Sequence, residues 1–314
     1  MISIEEMNEL TSEQIKSATL ELQRLVETQL GTELDLRRLD TIYFPNDFHQ
    51  SIIDFQVKHN LRERGATNNE LGSAHGKTIT FEVNHIEKDR IFIHKNILLS
   101  LFDDTSSMFP ISINLIHHEL CHVHDNYLLS SMTRFQDDLQ FDSTGLSHVL
   151  NLHAMNIFSE YIVPKMAAWT KHTLEIESLS HTIFDSKQIM NTIIEQYEQG
   201  ELTDIEVFSN VQVIGGQLMK SLATFWGEWS YFQYDQKEEL VTLIHSFFEN
   251  SYLSNIWLPF KEALLTLDSS YPDWKDVSVL TSFKVIILEM WQCLGVNVNP
   301  SALQLTISVK KTID

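Results

Sequence analysis

The residues best suited to chemistry are gathered in the run Ile116-His117-His118-Glu119-Leu120-Cys121-His122-Val123-His124-Asp125. Within it His118 and His122 are four apart, so on a helix of 3.6 residues per turn they lie within about 40° of each other. Two imidazoles on one face at that spacing can hold one zinc ion, and Glu119 between them is placed to take a proton from a water on the metal. The chemistry this predicts is hydrolysis by a zinc-bound water, with Glu119 as general base.

Catalytic zinc takes three protein ligands and keeps one position open. Glu160, in Asn156-Ile-Phe-Ser-Glu-Tyr-Ile-Val-Pro164, is the candidate third ligand. It stands 38 residues after His122, which allows a loop and a helix that returns across the first. Asp125 competes for the role, because seven residues from His118 again reaches the same face. Its other reading is an acceptor that orients an imidazole. His117 and His124 point elsewhere on the helix, and Cys121 reads as a small packing residue. Tyr161 and His153, on the helix that carries Glu160, are candidate donors to a developing oxyanion.

Positioning these residues requires a helix over about 110–129, for which Ile113, Leu115, Ile116, Leu120 and Val123 supply the apolar surface. Ahead of it, amphipathic helix is expected over about 3–30, with a capping signal at Thr11–Gln14. A short strand is read at Thr41–Phe44 and a helix from Asp47 to about Leu61. Residues 62–77 carry loop signals. Strands are expected at Thr78–Val83 and Arg90–His94, joined by the polar stretch 84–89, with Arg90–His94 as the edge open to an extended peptide. A short helix covers Asn96–Phe102. Beyond about 143 the pattern is helical, near 144–163, 165–180, 186–199, 203–225, 236–250, 253–267 and 278–293, with Pro164 expected to kink or end its helix. The fold class is therefore α+β and mostly helical. A small mixed sheet with the two site helices occupies residues 1–165, and an all-helical region occupies 166–314.

Composition sets the outer bounds. With 43 acidic against 22 basic residues the net charge is −21. Such a chain lacks the clustered cations that a phosphate backbone or an anionic membrane demands. No stretch reaches the roughly 20 apolar residues of a spanning helix, and the opening residues carry no signal-peptide pattern. Cys121 and Cys293 make no disulfide framework. These features predict a cytoplasmic protein; the expected metal site adds a peptide or protein substrate, and the helical region is available to a protein partner.

His118-Glu-Leu-Cys-His122 followed by Ser159-Glu160-Tyr161 on a later helix resembles gluzincin-type metallopeptidases, among them the compact bacterial and phage-related group of ImmA/IrrE-like proteins. The resemblance covers roughly residues 40–165. It implies a zincin-like core, one Zn²⁺ held by His118, His122 and Glu160, and Glu119 as the base. Four positions after the third ligand, where larger gluzincins carry an acidic residue, this chain has Pro164. The other functions compatible with the sequence are a non-catalytic binding module on the same fold and a zinc hydrolase of non-peptide amides.

Overall fold

The computed structural model describes residues 1–61, 65–66, 68–69, 72–141, 145–171, 176–231, 234–299, 306–310 and 313. Parts of two expected elements, 62–64, 67, 70 and 71 of the loop and 172–175 of the helix read over 165–180, lie outside them. The protein is α+β, about 66% helical, with a small mixed sheet. It divides into two compact units, residues 1–128 with 166–172, and residues 129–165 with 173–314. The divisions at 128/129 and 165/166 fall inside the continuous helices over 108–131 and 145–167.

In the first unit the strands are β1 (Ile2–Ile4), β2 (Leu39–Phe44), β3 (Asn68–Asn69), β4 (Gly72–Ser73), β5 (Gly76–Val83) and β6 (Ile86–Ile93). Its helices are α1 (Ser12–Leu25), continued by one π-helical stretch Val26–Leu30, α2 (Phe48–Lys58), α3 (Lys95–Ser100) and α4 (Met108–Ser131). Four strands form the sheet in the order β1-β2-β6-β5, with β1 and β6 parallel to β2 and β5 antiparallel to β6.

Side chains alternate across a strand, and the two faces of this sheet are served by different helices. Ile42, Phe44, Ile91 and Ile93 pack with Leu22 of α1 and with Ile116, Leu120 and Val123 of α4. Ile79, Phe81 and Phe92 pack with Phe48, Ile52 and Phe55 of α2. The same alternation puts Gly76, Thr78 and Thr80 on the α4 side of β5, opposite Ile93, Ile91 and Asp89.

Three expectations need correction here. Residues 2–4 form a strand rather than the start of a helix, because they pair in register with Ile42–Phe44. The β5–β6 connection is a two-residue turn at Asn84-His85, both at positive φ (52° and 65°), so β6 begins at Ile86. Such a turn matches the twist of the strands it joins. The strand read at Arg90–His94 is not an edge: β6 is bonded to β2 on one side and β5 on the other. Ile91, Phe92 and Ile93 are buried together, the continuous apolar run of a strand covered on both faces. The outer strands are β1 and β5.

The second unit takes in the last turn of α4. It holds α5 (Thr133–Phe141), most of α6 (Gly145–Ala167), α7 (Ile176–Glu198), α8 (Asp204–Trp229), α9 (Tyr234–Glu249), α10 (Trp257–Asp268) and α11 (Thr281–Cys293). A capping box at Thr203 and Glu206 starts α8, whose buried side chains pack against α7, α10 and α11. At Gly227 a β-carbon would collide with the backbone oxygen of Tyr161, so glycine permits α6 and α8 to cross closely. The region is not wholly helical. After Gly295, at φ +85°, the chain forms an antiparallel hairpin of β7 (Val296–Asn299) and β8 (Thr306–Val309). Pro164 does not end α6, which continues to Ala167. A proline costs the carbonyl of Glu160 one hydrogen bond, and the helix absorbs that loss.

Candidate metal centre

Helix α4 is buried along one side by Ile116, Leu120 and Val123, which fixes its rotation against the sheet. His118 and His122 are then half-buried, with their Nε2 atoms 3.1 Å apart and ring centroids 4.8 Å apart. Two nitrogens bound at about 2.0–2.1 Å to one tetrahedral ion are roughly 3.3 Å apart, so the pair fits zinc.

The last residues of α6 belong to the first unit, where α4 ties them down. Thr170 gives its single hydroxyl proton to the Ala167 carbonyl at 2.8 Å. Its oxygen therefore accepts from Asn114 Nδ2 at 2.9 Å and from His117 Nδ1 at 3.1 Å. Asn114 also donates to the Ala167 carbonyl at 3.1 Å. Glu160 precedes Met166 by six residues on this continuous helix, about 9 Å along its axis. His118 and His122 lie in the first unit and Glu160 in the second. Lys220 Nζ of α8 lies 3.4 Å from Glu160 Oε1. Two imidazoles and a carboxylate suit zinc by type.

Glu119 is 5% exposed and turns toward β5. Thr78 Oγ1 donates to Glu119 Oε2 at 2.7 Å, with the Glu119 backbone oxygen at 3.2 Å. Glu119 Oε1 lies only 2.6 Å from where a β-carbon on Gly76 would stand. Neither Gly76 nor Thr78 is picked out by a motif. The signal that points to them is alternation: once Ile79 and Phe81 are assigned to one face, Gly76 and Thr78 fall on the other.

The neighbouring candidates have other engagements. His117 packs on Trp169 and is buried, which pushes its imidazole down to about 4 and keeps it neutral. His124 Nδ1 accepts from the Asp35 backbone N–H at 2.8 Å. Cys121 is fully buried, and burial raises its thiol well above the usual range. Asp125 is fully buried. His153 packs edge-on against Trp291 of α11, and desolvation lowers its pKa. Tyr161 is 1% exposed and donates its hydroxyl to Asp268 Oδ2 at 3.1 Å, which removes it from the oxyanion donors expected above.

No known protein-family model matches the chain, and no characterised protein or solved structure matches it either. Among the described residues no helix is long and apolar enough to cross a membrane.

Proposed function

We propose that the protein is a zinc-dependent metallopeptidase. The observation that carries this reading is the convergence of His118 and His122 Nε2 at 3.1 Å beside a buried Glu119. His118, His122 and Glu160 would hold one ion. When bound, zinc polarises a carbonyl and acidifies water toward neutrality. Glu119 takes the proton of the attacking water and returns it to the leaving amine. An extended substrate would lie along β5, the outer strand whose Gly76 and Thr78 face Glu119.

Metal analysis beside a peptide-hydrolysis assay tests the proposal. Wild type is expected to carry about one zinc per chain, and His118→Ala and Glu160→Ala to lose it, as a three-ligand site requires. Asp125→Ala is expected to keep it. Glu119→Gln should retain zinc and lose roughly 100- to 10,000-fold in hydrolysis, the range for general-base catalysis. A wild type free of zinc after purification in zinc-containing buffer would end the reading.

A further inference from the structure

We infer that Thr78 is a positioning residue: its hydroxyl holds Glu119 Oε2 and so orients the carboxylate that takes the proton. The inference rests on the metallopeptidase reading and goes past it in naming the strand residue that orients the base.

A glutamate side chain has three rotatable bonds, and a general base works only when its accepting oxygen is held within hydrogen-bond reach of the water. Helix α4 fixes the backbone of Glu119 but not its carboxylate. Strand β5 supplies two restraints from a different part of the chain. Thr78 has one hydroxyl proton. With Oε2 at 2.7 Å and the backbone oxygen at 3.2 Å, that proton goes to the carboxylate. Gly76, two residues earlier on the same face, lets Oε1 approach the strand backbone, with only 2.6 Å to the position any β-carbon would take. The donor fixes one oxygen and the bare backbone makes room for the other. In the reaction one O–H bond of water breaks, its proton passes to the Glu119 carboxylate, and the oxygen bonds to the carbonyl carbon. The same proton then moves to the departing nitrogen, which restores the carboxylate.

The test uses the zinc-loaded full chain and acetohydroxamic acid, whose two oxygens bind zinc while its hydroxyl proton goes to the base. Thr78→Val keeps the shape and removes the donor, and Thr78→Ser keeps the donor. Zinc content and melting temperature show that each variant is folded and loaded. Thr78→Val is expected to bind the hydroxamate roughly 10- to 150-fold more weakly, the scale of one hydrogen bond to a charged group. Thr78→Ser should remain within about twofold of wild type on the same scale. In a Glu119→Ala background Thr78→Val should cause no further loss, because coupled residues are not additive. Equal affinity for wild type and Thr78→Val, or a loss that persists without Glu119, would overturn the role of Thr78. A wild type that holds no zinc would instead remove the reading beneath it, so the two failures are distinguishable.

Discussion

The hydroxyl of Tyr161 has one proton, and Asp268 receives it. Lys165 pairs with the same carboxylate, so the tyrosine belongs to a partly buried polar cluster of the helical unit. Tyr161→Phe should therefore lower stability by about 1.5–3 kcal/mol in urea unfolding, the cost of one hydrogen bond to a charged acceptor. Hydrolysis per zinc-loaded molecule should not change, and a large fall in kcat would restore Tyr161 to the reaction. At this scale the residues legible in the sequence are those whose geometry one helix dictates. His118, Glu119 and His122 need only a 3.6-residue turn to meet. Glu160 needed the further assumption of a returning helix. Thr78 and Gly76 touch Glu119 through a strand-to-helix approach across 41 residues of chain in the case of Thr78, which no local pattern encodes. Tyr161 misled because its hydroxyl partner lies 107 residues away.

Helix α4 is held to the sheet at its far end by a charged cluster as well as by its apolar side. Arg38 Nε donates to Asp89 Oδ2 at 2.8 Å, and its Nη1 donates to the Asn126 carbonyl at 3.0 Å. Asn126 Nδ2 and Thr80 Oγ1 donate to Asp89 Oδ1 at 3.0 and 2.6 Å. Asp89 is fully buried, and desolvation raises its carboxyl pKa despite these donors. Arg38→Met should cost about 3–5 kcal/mol at neutral pH, since it strands a buried carboxylate. Without Arg38 the native carboxyl binds a proton more readily than the unfolded one. Stability is then lost as pH rises through the raised folded pKa and recovered as pH falls, so the penalty should be smaller in unfolding measured at mildly acidic pH. A penalty independent of pH would place the effect elsewhere. Elements with their own punctuation were legible: the Thr11 and Thr203 capping boxes and the Asp47 cap start α1, α8 and α2. β1 was not, because three residues show no period. The central place of β6 was not, because strand order is set by which strands add beyond it.

Over the whole chain, 43 acidic and 22 basic residues leave a net charge of −21, and self-repulsion of that sign opposes compaction. The melting temperature should rise by a few degrees as NaCl increases from about 0.01 to 0.2 M, over which the screening length falls from about 30 Å to under 10 Å. A flat response would show the charges already balanced by local pairing. The acidic excess was legible from composition alone, whereas the division into units was not, because each is assembled from two separated stretches. The tethering of α6 to α4 has a consequence for how the molecule is made. Asn114 and His117 find their acceptor at Thr170, more than fifty residues later. During synthesis the helix bearing His118 and His122 emerges well before the residues that secure it. A ribosome paused before residue 160 would display both histidines and Glu119 before Glu160, the third ligand of the proposed zinc site, has been made.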